Sequence, residues 1–578
     1  MTTEAPTAQA RESGRPSRPG SQVLPHPFVL SVFSGVLLWL TFPPAEWAWA
    51  AWLALVPLFL LIKSRRSPLA IYFGAWAGGY AFWVLAVHWI WWTDESAWLG
   101  WLVMALVLSL WWPAFVFLAR FADRGLRLPA ILTAPIFWVM LEYLRAYILT
   151  GFPWYYLAHS QYRLIYLTQV ADFAGSLGVS FLIAGVNAYL AELLTTPLFR
   201  AGATGSWWRR LTLAQRAKLA SVVVALAGAL GYGGFRVNTA RFREGPRIAL
   251  LQSGEVQQYD SDKRKSPAAL QAEYERLVAQ ASRLVPKPEL IVWPETSNPY
   301  GYWTIDPKLA KGRLDALVKE LDPENIAADF LLRRDKVDAY FAAWMKELRI
   351  PMMVGTTTHD FRDSGYTRYN SAVLFGFEGG AKVQSYHKFH LVPFGEYVPL
   401  LDTFPWLIRL TPYRGTRLHF LDRGADPAWF ELGPYRMASA ICFEDTVPQV
   451  VRRLFADVPD ARQPDVLVNL SNDGWFHETS EHEMHLAVST FRSIENRAPL
   501  VRAVNTGVSA IVDGNGRILQ SMAKDKVGVL SGVVPLDDRT SFYTRWGDWL
   551  GLSCLASAIG LLVLGTFSPR RRPNPAAF

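Results

Sequence analysis

Apolar runs of bilayer length fill much of the first 236 residues. Nothing constrains a fold more, because hydrocarbon admits only structures whose backbone hydrogen bonds close on themselves. A spanning helix needs roughly 20 mainly apolar residues. Candidates are residues 27–44, 47–62, 68–92, 98–119, 128–149, 165–194 and 218–236, with an eighth at 549–567. The first two are short and bounded by proline, so one of them suits a re-entrant element. The fifth and sixth carry polar residues and need a side that faces protein. This reading divides the chain into a disordered cytoplasmic N-terminus at 1–25, a membrane domain of about seven spans at 26–236, and a polar, soluble domain at 237–545. A C-terminal transmembrane helix at 549–567 and a cytoplasmic tail at 568–578 complete it. No signal-peptidase site follows the first run, which is therefore read as retained.

The net charge of +9 raises nucleic acid as a partner. The placement of the basic residues argues for membrane topology instead. Arg11, Arg15 and Arg18 precede the first run; Lys63, Arg65 and Arg66 follow the second; Arg120, Arg124 and Arg127 follow the fourth. Arg200, Arg209, Arg210, Arg216 and Lys218 follow the sixth, and Arg570, Arg571 and Arg572 close the chain. The intervening loops are acidic or nearly neutral, such as Thr93-Asp94-Glu95-Ser96. The positive-inside rule then puts both termini in the cytoplasm and residues 237–545 outside it. Glu142 and Arg145, at i,i+3 on the fifth run, are spaced to pair on one helix face. The aromatic, proline-broken loop Thr150-Gly151-Phe152-Pro153-Trp154-Tyr155-Tyr156 suits either headgroup anchoring or a lipid entry.

In the polar stretch, short β-branched runs alternate with helical segments. Strands are expected at Ile248–Gln252, Leu290–Trp293, Met352–Thr356, Ser371–Phe377, Met437–Ile441, Val466–Leu470, Leu500–Val504 and Ser509–Val512. Amphipathic segments such as Ala268–Leu284 and Asp335–Leu348 lie between them, which suggests an α/β layered fold. Nearly all-apolar strands suit a sheet buried on both faces. Asp513-Gly514-Asn515-Gly516 signals a hairpin turn, and the charged residues 304–338 read as a surface insertion.

The two cysteines, Cys442 and Cys554, allow no disulfide framework or zinc site, since Cys554 lies in the last apolar run. Cys442 ends an apolar run and precedes Phe443-Glu444-Asp445. Alone it reads as a small buried hydrophobe as readily as a nucleophile. Glu295, after Leu-Ile-Val-Trp-Pro, reads alone as a surface carboxylate or helix cap. Lys388, in Tyr386-His387-Lys388-Phe389-His390, reads alone as a snorkelling side chain. Together they supply a base, a fixed cation for an oxyanion and a nucleophile. The N–H of Phe443 adds a backbone donor.

These three residues, each in its local context, resemble the Glu-Lys-Cys triad of the nitrilase superfamily. Supporting motifs are Asn469-Leu470-Ser471-Asn472-Asp473-Gly474-Trp475-Phe476, Arg492-Ser493-Ile494-Glu495-Asn496-Arg497-Ala498-Pro499 and Arg502-Ala503-Val504-Asn505-Thr506-Gly507. With the apolar first half, the Thr-Gly-Phe-Pro-Trp loop, Pro393-Phe394-Gly395-Glu396-Tyr397-Val398-Pro399 and the last apolar run, the chain resembles the membrane-embedded apolipoprotein N-acyltransferase family from about residue 27 to residue 567. The resemblance implies an αββα sandwich beside the membrane helices. It makes Glu295 the general base, Lys388 the oxyanion stabiliser, Cys442 the acylated nucleophile, Glu396 a further essential glutamate, and Glu444 a residue that helps hold Lys388. Three departures stand out: Phe443 where the family usually has Tyr, Gln252-Ser253-Gly254-Glu255-Val256-Gln257 in place of a Gly-Asn-Ile-Pro pattern, and Met484 before His485.

The activity so implied is ping-pong transfer of a fatty acyl chain from a phospholipid. By resemblance the donor is the sn-1 chain of phosphatidylethanolamine, and the acceptor is the α-amine of S-diacylglyceryl-cysteine on an apolipoprotein. The reaction belongs to lipoprotein maturation at the cell inner membrane, with the catalytic domain on its outer side. Apolar loops at Pro399–Trp406 and Thr411–Tyr413 are placed to line or cover the site. A membrane-anchored nitrilase-type amidase, and a transporter or assembly factor with a dead domain, stay open as alternatives. Intact triad residues argue against the latter, and the many spans against the former. No cofactor, metal or nucleic acid is expected, and a monomer is.

Overall fold

The computed structural model describes residues 25–94, 97–148, 151–195, 211–255, 265–321, 326–376, 383–401, 403–410, 420–425 and 427–567. Outside them lie Arg11, Arg15, Arg18, Glu95, Ser96, Thr150, Arg200, Arg209, Arg210, Val256, Gln257, Phe377, Thr411–Tyr413 and Arg570–Arg572 of the expectations above.

The first half is helical. Two short apolar helices open it, α1 (Pro27–Trp39) and α2 (Ala48–Ile62). There follow α3 (Pro68–Ala86), α4 (Ala97–Leu126), α5 (Ala130–Arg145), α6 (Ser176–Leu194) and α7 (Leu213–Asn238). Of the described helices, α3, α4, α6, α7 and the C-terminal helix Trp549–Phe567 are long and apolar enough to cross a membrane. Starts follow local chemistry: Ser67 and Thr212 cap α3 and α7, with Pro68 in the first turn of α3.

Interruptions explain the remaining stretches. Gly175, at φ +66, separates α6 from two single turns at Ile165–Thr168 and Ala171–Ala174, so the sixth stretch forms no continuous helix. Pro57 lies within α2, whose 3-10 and α pieces leave backbone groups without helical partners. Asn187 of α6 satisfies two of them, donating to Ala51 O and accepting from Leu55 N, both at 2.9 Å. Leu55, Leu58, Leu61 and Ile62 are completely buried, so α2 is an inner element of the bundle.

Basic loops gather at one end. Arg120 donates to Leu61 O at 2.7 Å and Ser64 O at 3.0 Å, Lys63 pairs with Asp123, and Lys218 pairs with Glu192. Glu192 in turn accepts from Ile131 N at 3.2 Å, next to the Arg127 loop.

Glu142 and Arg145 do not turn to each other as their spacing suggested. Arg145 donates to Trp154 O at 2.6 Å and Phe152 O at 3.3 Å, while Glu142 accepts from Trp138 Nε1 at 3.0 Å and Leu157 N at 2.9 Å. The irregular loop after α5 carries backbone groups with no ladder, and these side chains satisfy them.

The second half is a sandwich of two sheets. Its strands are β1 (Phe242–Gln252), β2 (Leu290–Val292), β3 (Asn298–Ile305), β4 (Met352–Arg362), β5 (Gly365–Phe375), β6 (Val383–His387), β7 (Trp429–Leu432), β8 (Tyr435–Ile441), β9 (Val466–Ser471), β10 (Leu500–Val504), β11 (Ser509–Val512), β12 (Ile518–Met522) and β13 (Gly528–Asp537). One sheet runs β13-β1-β2-β4-β5-β6 with β3 also on β4; the other runs β12-β11-β10-β9-β8-β7. Ile248, Val292, Met353 and Leu374 from the first meet Met437, Ala440, Leu467 and Val501 from the second in one core. On the outer face of the first sheet pack α8 (Pro267–Ser282) and, after α9 (Lys311–Leu321), α10 (Ala327–Leu348), through Leu277, Val278, Phe341 and Met345. The second sheet is covered by α11 (Pro448–Ala456) and α12 (Glu481–Asn496). The αββα expectation holds.

β3, β6, β7, β12 and β13 escaped the sequence reading because they mix polar and apolar residues along half-exposed edges. The 304–338 segment is more than surface: Leu314, Leu317, Val318 and Phe330 pack with Trp303 and Phe361 into a small core of their own.

One helix joins the halves. Leu486 of α12 faces the sandwich core, whereas Met484, Ala487, Val488, Phe491 and Ile494 belong to the core of the helical bundle. Its polar residues bolt the seam: Ser176 N donates to Glu495 at 2.9 Å, and Arg497 meets Asp172 at 2.8 Å and Gln169 at 2.6 Å.

Candidate active site

Glu295, Lys388 and Cys442 come together from three different strand ends. β2 stops at Val292, and Trp293 N still reaches Met353 O of β4 at 2.8 Å before Pro294 turns the chain out. Gly355 on β4 makes that turn possible, because a Cβ there would stand 2.1 Å from Pro294 O. Lys388 directly follows β6, its N–H bonded to Asn370 O at 2.8 Å. Cys442 directly follows β8 and adopts a left-handed backbone at φ +50, which ends the strand and starts a 3-10 turn over Cys442–Thr446. A non-glycine residue in that region stores roughly 1–3 kcal/mol of strain, held here by the surrounding sheet.

Glu295 is held on both oxygens: Asn370 Nδ2 donates to Oε1 at 2.6 Å and the Asn472 N–H to Oε2 at 2.8 Å. Its carboxylate and Ser471 both stand close enough to the thiol to act on it electrostatically. Lys388 is 1% exposed, with Nζ 2.8 Å from Glu396 Oε1 and 3.7 Å from Glu295 Oε1. Glu396 also takes the Val392 N–H at 2.8 Å, inside the tight Pro-Phe-Gly-Glu loop, where Phe394 N returns to Tyr397 O at 2.7 Å.

Glu444 does not touch the Lys388 ammonium. It accepts the N–H groups of Phe389 and His390 at 3.0 Å each, Ile441 N at 2.9 Å and Tyr386 OH at 2.7 Å. It therefore pins the backbone on both sides of the lysine and beside the cysteine, so its hold on Lys388 runs through the main chain. Phe443 stacks on His390, with centroids 6.0 Å apart, and packs against both cores. Its N–H stands in the first turn of the 3-10 segment, where such groups lack partners from within the turn.

Burial pushes the Glu295 carboxyl up, opposed by Lys388 and reinforced by Glu396. Burial also pushes the Cys442 thiol well up, with Glu295 adding to the rise and Lys388 opposing it. For Lys388, burial alone lowers the ammonium, but Glu396 and Glu295 overcome it and raise the group. Burial brings Glu444 up to about 7 against the pull of Lys388. At rest the thiol keeps its proton, the lysine stays charged, and the glutamate beside them is a stronger base than a free carboxylate.

The sequence reading missed Asn370, which also reaches Glu396 at 3.3 Å and so ties both glutamates together. Its one signal is its place where the polar first half of β5 gives way to the buried run Ala372–Phe375. The supporting motifs become intelligible here. Asn469 Nδ2 holds Cys442 O at 3.3 Å, and Arg502 forms buried ion pairs with Asp445 at 2.9 Å and Asp473 at 2.8 Å behind the site. The atypical segment after β1 serves as a brace: Gly254 N bonds to Asn505 O at 2.6 Å, and Asn505 Nδ2 to Glu255 O at 2.8 Å. On the solvent side Phe394, Leu400, Phe404 and Trp406 stand exposed.

The bundle reaches the back of this region. Trp89 meets Phe476 edge-on at 4.8 Å, Trp154 lies 5.4 Å from His485, and Gln449 holds Ala146 O at 2.9 Å.

Residues 34–189 match the family described as apolipoprotein N-acyltransferase N-terminal domain, and residues 247–543 match the carbon-nitrogen hydrolase family. The apolipoprotein N-acyltransferase of Geobacter metallireducens is 32% identical over 546 residues, covering 92% of this chain and 94% of its own length. That of Chlorobaculum tepidum is 30% identical over 576 residues, covering 94% and 97%. A crystallised amidase from Nesterenkonia sp. aligns with 51% of this chain and 93% of its own at 18% identity and a TM-score of 0.33.

Proposed function

The chain belongs to the apolipoprotein N-acyltransferase family, and from that premise we propose that it moves a fatty acyl chain from a membrane phospholipid to the α-amine of a diacylglyceryl-cysteine through a thioester on Cys442. It is an enzyme of lipoprotein N-acylation. The observation that carries the mechanism is the convergence of Glu295, Lys388 and the strained Cys442 on one buried centre with a half-buried thiol.

Glu295 accepts the thiol proton as Sγ attacks the ester carbonyl. Lys388 and the Phe443 N–H take the charge that develops on the oxygen, an interaction commonly worth several kcal/mol because the donors are already in place. The tetrahedral adduct collapses, the lysophospholipid oxygen leaves with the proton from Glu295, and the acyl group stays on sulfur. The lipoprotein amine then attacks the thioester carbonyl. Glu295 takes a proton from that amine and returns one to the departing thiolate, which restores the enzyme. Glu396 fixes the ammonium, and Glu444 fixes the backbone around it.

Both substrates are held in a bilayer by acyl chains, which gives the spans their purpose. The basic loops gathered at the far end of the bundle support a cytoplasmic face there, with the sandwich on the extracytoplasmic side of the inner membrane, and a monomer suffices. The exposed Leu400, Phe404 and Trp406 are suited to lie against the membrane surface.

Incubation of the purified protein with phosphatidylethanolamine, followed by intact mass measurement, tests this. A fatty-acyl adduct cleaved by hydroxylamine and missing in Cys442→Ala is expected. Folded protein that takes no adduct would refute the thioester route. Adding a diacylated lipopeptide then distinguishes transfer, which yields N-acyl peptide, from an amidase-like enzyme that releases free fatty acid.

A further inference from the structure

Behind the triad, the link from β9 to α12 brings Asp473, Glu481 and His482 together, each with one ligating atom within 4.8 Å of the others. All three are completely or almost completely buried. Neither oxygen of Glu481 has a hydrogen-bond partner, and neither does Nδ1 of His482 or of His485. The other nitrogen of each histidine is occupied: Nε2 of His482 meets His477 O, and Nε2 of His485 meets Asp445 Oδ1 at 2.8 Å. A backbone carbonyl can only accept, so His482 carries a proton on Nε2, and Nδ1 is the nitrogen left for another partner. That nitrogen faces the carboxylates of Asp473 and Glu481. His485 Nδ1 lies 3.3 Å from Asp473 and 3.4 Å from Glu481.

Space and charge agree. A Cβ on Gly507 would stand 2.6 Å from Asp473 Oδ2 and 3.0 Å from His482 Nδ1, so glycine alone keeps this cleft clear. Asp445, Asp473 and Glu481 face the single guanidinium of Arg502, while Lys524 is taken up outside the cluster by Glu483 at 3.2 Å. Imidazoles fixed through one nitrogen by a carbonyl and a carboxylate, with the other nitrogen turned towards carboxylates, are the usual surroundings of a bound transition metal.

We propose that Asp473, Glu481 and His482 bind a divalent transition metal, zinc foremost, with His485 Nδ1 as a fourth ligand. The donor set of imidazoles and carboxylates suits zinc, and metal–ligand bonds of about 2.0–2.2 Å require the 4.8 Å spread to contract by roughly an ångström. The ion is structural. It ties the 472–482 link, whose Asn472 N–H holds Glu295 and whose Phe476 rests on Trp89, to the first turn of α12. This inference is independent of the acyl-transfer reading.

The test uses the full-length protein without a polyhistidine tag, stripped with chelator, equilibrated with Zn²⁺ and desalted. About one zinc per chain is expected by elemental mass spectrometry, retained in Cys442→Ala and lost in His482→Ala and Glu481→Gln. Cobalt loading of the unaltered chain, expected to show visible d–d bands, reads the same site without relying on the variants folding. No zinc above background and no cobalt bands, or zinc that persists in both variants or vanishes in Cys442→Ala, would overturn the proposal.

Discussion

At the seam between bundle and sandwich, Arg497 spreads its guanidinium over Asp172, Gln169, Gly514 O and Asn515. Beside Cys442, Lys388 meets Glu396 at 2.8 Å and Glu295 only at 3.7 Å. Both are buried cations facing carboxylates. At the seam the guanidinium and the carboxylate it meets bind only fixed protein groups, so the arrangement acts as a fastener. At the site one contact is stretched, and a half-buried thiol lies alongside. The difference teaches that burial alone does not set what an ion pair is for; at the site the carboxylate also stands beside a thiol, as the proposed mechanism needs.

Removing reactive groups sharpens this contrast most. Glu295→Gln keeps the shape and the Asn472 contact but not the base. Acyl-adduct formation should fall on the order of a thousandfold, with the melting curve little changed. A rate within tenfold of the parent would show that the thiol finds another base. The pH profile probes the same group. Since burial raises Glu295, adduct formation should decline on acidification with a midpoint above the ordinary carboxylate range. A limb near pH 4 would contradict the raised group.

At the seam the expected loss is of stability. Arg497→Ala leaves Asp172 buried with fewer partners, since Arg236 remains at 2.7 Å, so about 3 kcal/mol is expected in denaturant titrations. Surviving protein should keep the same pH limb. If that limb moves instead, the seam and the site are electrostatically one unit.

A smaller effect belongs to the sandwich alone. His359 stacks on Trp303 at 4.0 Å, and burial, helped by Arg368 and Arg333, lowers its pKa to about 4. Between pH 6.5 and about 4 the unfolded chain takes up a proton that the folded chain does not. Stability present above pH 6.5 is therefore lost as pH falls through that window, by at most about 3 kcal/mol. Unfolding measured at several pH values in the parent and in His359→Phe checks it; equal slopes would dismiss His359 as the cause.

Smallest is the exposed edge. Trp406→Ala should weaken use of phospholipid in vesicles by about tenfold, consistent with losing partial burial of one large ring, and spare a short-chain soluble ester. Equal loss on both substrates would make Trp406 part of the site's packing.

Glu295 and Cys442 were legible as candidates because each follows an apolar run, and strand ends are where side chains leave a sheet; Lys388 follows the mixed run Val383–His387 and stood out through its aromatic neighbours. The central strands were legible as apolar runs. Edge strands such as β6 and β13 were not, since half-exposed strands alternate instead of running apolar. Asn370 was invisible as a site residue because its role depends on two carboxylates, 75 and 26 residues away, that no spacing rule connects. The metal-ligating cluster was hidden similarly: its members look like solvated loop polars until α12 is sandwiched between two cores.

By itself the chain marked the apolar runs of membrane length, the strands in the middle of the sheets, and three residues that qualify as candidates for the chemistry. These follow from local hydrophobicity and residue type. Tertiary structure alone decided that Glu444 acts on backbone instead of on the ammonium and that α2 lies inside the bundle. It also decided that one helix, α12, serves both halves. Such facts depend on which distant segments meet, and buried polar groups reveal their purpose only in the partners that folding brings to them.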